Sequence, residues 1–179
     1  SVMAARRRPS GAGALEISER FFSATFQVMG HVAKSDGRVS EAEIAAARQV
    51  MSELRLDGAQ IHAAIGHFTR GKSPDFDLEG TADELREACA HRPDLLRIFL
   101  EIQVRAALEG VDMQGPARSV IQRIAELLDI SRLELAHMEA VLRIRREQFR
   151  ANGGAQAGQD QRGGQAPSRR GMSLEAAYE

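Results

Sequence analysis

After Asp94 the chain reads L-L-R-I-F-L-E-I-Q-V-R-A-A-L-E, with charges at Arg97, Glu101, Arg105 and Glu109 and apolar residues at nearly every position between them. Wound as a helix, that spacing makes one polar stripe and leaves most of the circumference apolar. Such a helix needs neighbours on several sides, so the stretch from Asp94 to Glu109 is predicted to be the central buried helix of an all-helical domain. Its stripe reads first as a wet edge and second as a contact seam to a neighbouring helix. The alternating signs allow ion pairs within the helix of about 0.2–0.5 kcal/mol each.

Helical periodicity recurs on both sides of this element. Ile17, Phe21, Phe22, Phe26, Met29 and Val32 predict a first helix from Leu15 to about Lys34, stopped at Ser35-Asp36-Gly37. Ser40 and Glu43 have the spacing of a capping box and open a second helix to about Leu54. Asp57 is the predicted N-cap of a third, ending near Gly71. Pro74 and alternating acids mark 72–80 as a connector, and a second capping-box pattern at Thr81 predicts a short helix to about His91. Past the central helix, Pro116 suits a first turn, and Val120, Ile121 and Ile124 carry the helix to Leu128. Ser131 caps the last helix, which is expected to fray after Arg146. About seven helices therefore fill 15–149. Residues 1–14 read as a flexible basic lead-in around Arg6, Arg7 and Arg8, and 150–171 as a Gly-, Gln- and Arg-rich linker. The segment 172–179 is helix-competent again and reads as the start of a further element.

An offset of 74 lays Asp36 to Asp57 over Gly110 to Ser131, pairing Val50 with Ile124, Leu54 with Leu128 and Leu56 with Ile130. This predicts two pseudo-repeated halves around a shared core, with the central helix opening the second.

Composition narrows the functions. The chain is 43% hydrophobic but 4% aromatic, which favours helix over strand. Its net charge of −1 hides a division, because 16–144 hold 21 acids against 15 bases. A net −6 core lacks the clustered positive charge of a nucleic-acid footprint. One cysteine, Cys89, excludes an intramolecular disulfide and reads as a small core residue. No stretch reaches the roughly 18–20 apolar residues of a membrane span.

Candidate chemistry is sparse. From Asp36 to Glu43 the chain resembles the latter half of a calcium loop, with Gly37 at the sharp turn and Glu43 at the bidentate position. Asp36 and Glu43 are thus candidate ligands of a divalent ion. Val32 and Lys34 stand where the first two carboxylates would be, and a tight turn leading into a capped helix accounts for the same residues. The five histidines are dispersed, with no i,i+4 pair. His91-Arg92-Pro93-Asp94 is an interrupted His-Pro-Asp triplet and is set aside. No phosphate loop, nucleophile elbow or Cys/His arrangement is evident, so neither an enzyme nor a cofactor is expected.

The blocks at 21–40 (F-F-S-A-T-F-Q-V-M-G-H-V-A-K-S-D-G-R-V-S), 95–110 (L-L-R-I-F-L-E-I-Q-V-R-A-A-L-E-G) and 123–131 (R-I-A-E-L-L-D-I-S) resemble the TerB-like, tellurite-resistance-type domain of membrane-anchored DnaJ-like co-chaperones of the DjlA type. The resemblance spans about 15–149. It implies an N-terminal anchor ahead of this domain, the domain itself on the cytoplasmic face of the bacterial inner membrane, a Gly/Gln-rich linker, and a J-domain that stimulates a DnaK-type Hsp70. On that pattern 172–179 would begin the J-domain and Arg6, Arg7 and Arg8 would flank the anchor. One departure stands out: Gly110-Val111 replaces the Asp-Gly that relatives often carry in the second copy.

The expected function is an interaction and regulatory domain of such a co-chaperone, bringing Hsp70 to membrane or envelope-stress clients. The alternative is a stand-alone tellurite- or metal-stress protein binding ions through acidic residues. A third possibility is a client- or lipid-binding module using an apolar groove between the halves. By itself the segment is expected to be soluble, monomeric or weakly dimeric, with an unidentified protein partner, no nucleic acid, and the membrane reached only through the anchor.

Overall fold

The computed structural model describes the backbone of residues 11–110, 113 and 115–159, with side chains for 17–110, 113 and 115–153. Among these residues lie seven helices and no strand: α1 (Gly11–Lys34), α2 (Glu41–Glu53), α3 (Gly58–Gly71), α4 (Leu78–Ala88), α5 (Pro93–Gly110), α6 (Pro116–Leu127) and α7 (Arg132–Gln159). Residues up to Arg143 form one compact unit, and a second begins at Ile144. The described part of the second is the helical run 144–159. Of the basic lead-in expected at 1–14, residues 11–14 belong to α1, and of the linker expected at 150–171, residues 150–159 belong to α7; the rest of both and the J-domain start at 172–179 lie outside the described residues.

The helix starts follow their capping chemistry. Ser40 and Glu43 close the expected capping box. Asp57 forms another with Gln60, each side chain bonding the other's backbone N–H. The Thr81 box does not form. The fourth helix begins earlier, with Asp77 as N-cap accepting from Gly80 N, and Thr81 lies inside it with its hydroxyl bonded to Asp77 O. An acidic side chain at Asp77 outcompetes the hydroxyl because it satisfies an amide at the positive end of the helix. The last helix does not fray at Arg146 but runs to Gln159. Ala, Gln, Glu and Arg around 147–152 are adequate helix formers, and extending a formed helix costs little.

Two hydrophobic clusters fill the bundle. One gathers Val28, Leu85, Phe99, Leu100, Val104, Leu108, Ile121 and Ile124, with Leu135 and Leu142 of α7. The other joins Phe26 and Met29 of α1, Val50 and Met51 of α2, Ala64 and Phe68 of α3, and Ile102 and Ala106 of α5. As expected, α5 sits at the centre, with Leu100 and Val104 fully buried. It shares that place with α1, which contributes to both clusters. Each large side chain removed from water stabilises the fold by about 1.5–3 kcal/mol.

The α1–α3 crossing is the tightest contact. A Cβ at Gly30 would stand 2.1 Å from Phe68 O, and one at Gly71 would stand 1.7 Å from Gln27 O. Two glycines therefore let backbone touch backbone, and the half-buried His31 and His67 flank the seam. His67 Nδ1 lies 3.4 Å from Gln27 Nε2 and its ring meets Phe22 edge-on, while the His31 ring packs on Phe76. Burial lowers the pKa of both rings.

Candidate functional site

The turn between α1 and α2 holds both candidate ligands. Gly37 adopts φ 95°, which glycine tolerates freely, and Lys34 Nζ donates to its carbonyl at 2.9 Å. Asp36 Oδ1 accepts from Arg38 N at 3.2 Å, and Glu43 Oε2 accepts from Ser40 N at 2.7 Å. Each carboxylate thus already serves a backbone N–H. Glu43 is only 7% exposed, and burial pushes its carboxyl above the ordinary value, assisted by the charge of Asp36 and opposed by hydrogen bonds from Ser40. Among the described residues no three His, Cys, Asp or Glu side chains converge as a metal-holding group.

The repeat at offset 74 extends to backbone detail. Arg55 and Asp129, 74 apart, have φ of 53° and 58° and are the described non-glycine residues with positive φ. Around them, Leu56 N bonds Met51 O as Ile130 N bonds Ala125 O, and Ile61 N bonds Asp57 O as Leu135 N bonds Ser131 O. Helices α2 and α6 therefore end through the same turn.

The two copies meet at a cavity of about 20 Å³ whose walls come in pairs at that offset: Met29 with Gln103, Val32 with Ala106, Ala33 with Ala107, and Glu43 with Ala117. Both copies therefore contribute matching positions to its walls. Two of its side chains are polar, Glu43 from the first copy and Gln103 from the second. Gln103, 1% exposed, donates through Nε2 to Thr25 O at 3.0 Å and so ties α5 to α1. The same geometry explains Gly110. A Cβ there would come within 2.5 Å of Glu43 Cγ and 3.1 Å of its Cα, so the residue aligned with Asp36 must lack a side chain where α5 meets α2.

The polar stripe of α5 turns out to be both wet edge and seam. Arg97 and Arg105 are more than a third exposed, yet they pair outward, with Glu134 of α7 and Glu53 of α2. Ile98 is 45% exposed, so the stripe is not the helix's sole contact with solvent. A second charged group escaped the sequence reading. Glu139, 8% exposed, accepts from both Arg118 and Arg143, and Arg118 Nε also donates to Met113 O. Burial pushes the Glu139 carboxyl up, but the two arginines outweigh it and hold the carboxyl below its usual range. Only the i,i+4 spacing of Glu139 and Arg143 signalled this in sequence. Arg92 and Asp94 bridge each other across Pro93 at the start of α5, and Cys89 is buried in the core as expected. The outer face of α3 leaves Ile61 and Ile65 at 37% and 52% exposure, with no charged residue from Gly58 to Thr69.

This duplicated all-helical architecture has a counterpart among known families: the model of tellurite resistance protein TerB matches residues 22–140. The chain belongs to the TerB family. The TerB domain here is similar to co-chaperone protein DjlA of Coxiella burnetii, 47% identical over 131 residues that cover 73% of this chain and 47% of that protein. The Haemophilus ducreyi protein of the same name is 41% identical over 143 residues, 80% of this chain and 50% of its own. That of Escherichia coli K12 is 42% identical over 162 residues, 88% of this chain and 56% of its own. The chain thus spans about half the length of the curated relatives it matches. No solved structure matches it. Its TerB domain is of the DjlA type, and these relatives do not favour the stand-alone tellurite-stress reading.

Proposed function

We propose that this TerB domain is the central interaction and regulatory module of a membrane-anchored DnaJ-like co-chaperone, placed at the cytoplasmic face of the inner membrane and working with a DnaK-type Hsp70. The observation that carries the reading is the similarity to co-chaperone protein DjlA across nearly the whole helical domain, at 47% identity over 131 residues. The disposition of polar groups supports a binding role over a catalytic one. The buried Thr25 hydroxyl donates back to Phe21 O within α1, Glu43 caps α2, and Gln103 and Glu139 join helix to helix. Function then resides in outward surfaces, with partners engaged by the domain and Hsp70 engaged by a J-domain beyond the linker. Asp36 and Glu43 act in this reading as turn and cap residues.

The gene beyond Glu179 provides the test. A J-domain containing an uninterrupted His-Pro-Asp triplet is expected there, and its absence overturns the proposal. The protein extended through that domain is expected to stimulate DnaK ATPase, whereas the segment ending at Glu179 is not.

A further inference from the structure

One residue lining the cavity between the two copies carries a polar atom that the fold leaves unserved. Gln103 Nε2 faces Thr25 O, an acceptor, which fixes the amide's orientation. Its Oε1 is buried without a hydrogen-bond partner, on a residue that lines the cavity. A buried acceptor left alone is expensive, so native interiors pair nearly all of them. The symmetry of the site sharpens the point. Met29 stands at the position matching Gln103, and Ala117 at the position matching Glu43, so each copy replaces one apolar residue of the other with a polar one facing the same space. Each also has a bond elsewhere, Glu43 to Ser40 N and Gln103 Nε2 to Thr25 O, and only Gln103 Oε1 is left over.

We propose that this cavity is a binding site for one water molecule, which donates one hydrogen to Gln103 Oε1 and the other to the Glu43 carboxyl, joining the two halves. The volume of about 20 Å³ exceeds the roughly 10–15 Å³ that a single water requires. Three side-chain oxygens, one of them already accepting from Ser40 N, fall short of the six or more that calcium takes, and the Glu43 carboxylate disfavours an anion. A water donates to two acceptors at once, as the site demands.

The experiment is water-proton magnetic relaxation dispersion on the chain, which counts long-lived internal waters, together with urea unfolding of two variants. Gln103→Met places in the second copy the residue of the first, and Ala106→Val does the same for Val32 on the opposite wall. Wild type is expected to show a long-lived water that both variants lack. Ala106→Val is also expected to lower the urea midpoint, because filling the space displaces the water and strands Oε1, whereas filling a dry void raises the midpoint. The proposal is overturned if wild type shows no long-lived water, if the variants retain it, or if Ala106→Val is stabilised. Should Gln103→Met fail to fold for want of its bond to Thr25, the Ala106→Val result decides alone.

Discussion

Substituting Gly71 by Ala tests the α1–α3 crossing, on which the first half of the domain depends. The new Cβ would lie 1.7 Å from Gln27 O and 2.6 Å from Gln27 C, where ordinary contact begins at 3.4 Å. Backbone cannot swing aside as a flexible side chain can, so the helices must separate by more than an ångström along the seam that buries Phe26, Ala64 and Phe68. A radial gap of 0.5–1 Å already forfeits about a quarter to a half of each dispersion contact, and overpacking of this kind costs about 1–3 kcal/mol. Against it stands a helix-propensity gain of at most about 1 kcal/mol, reduced because Gly71 ends its helix. The expected loss is about 2 kcal/mol, or about 1 M in urea midpoint for an m-value near 2 kcal/mol/M. Gly66→Ala is the internal control. Nothing lies within 4 Å of its Cβ, so it is expected to gain about 0.4–1 kcal/mol. Urea unfolding followed by circular dichroism measures both. If Gly71→Ala matches wild type, or Gly66→Ala is equally damaged, the close crossing does not exist in solution.

Other expected outcomes follow from the buried acids and the thiol. Burial raises the folded-state pKa of Glu43 above its ordinary value, so the stability linked to its protonation is present at low pH and lost as pH rises through the folded value. Glu43→Gln keeps an acceptor for Ser40 N; it should match wild type in acid and become relatively more stable as pH rises through that value, as urea midpoints taken across pH will show. Glu139 behaves oppositely: with its pKa held down by Arg118 and Arg143, its contribution is present above its unfolded value and lost as pH falls through the folded one. Glu139→Gln should therefore cost about 2 kcal/mol near neutrality, moderated because both arginines reach solvent, and converge on wild type in acid. Cys89, 1% exposed with its thiol pushed up by burial, should react with a thiol reagent only after urea is added. Calorimetry with calcium, magnesium or zinc should show no binding heat, since Asp36 and Glu43 each hold a backbone N–H; heat lost on Glu43→Gln would reinstate them as ligands.

Much of this architecture was legible because its signals are local. The periodicity around Phe99 and Leu100 identified the central helix, the Ser40/Glu43 and Asp57 caps placed two helix starts, and the 74-residue offset was visible in Val50, Leu54 and Leu56. Other features depend on what meets across the fold. Nothing near Gly30 or Gly71 announces that one faces the carbonyl of Phe68 and the other that of Gln27. Gln103 looked like one residue of a shared block until its amide nitrogen proved to be tied to Thr25 and its oxygen to be buried without a partner. Gly110 looked like a departure from the family pattern, and its reason, the approach of Glu43, is 67 residues away in sequence. The α4 start was misplaced because Thr81 and Asp77 both offer a cap, and only the packed chain shows which one the helix uses.

The most direct test of the proposed role is DnaK ATPase stimulation by the full-length gene product, compared with the same protein lacking everything after Glu179 and with a form changed at the His of its expected His-Pro-Asp triplet. Stimulation is expected from the full-length protein and from neither altered form. Stimulation by the segment ending at Glu179, or none by the full-length protein, would contradict it.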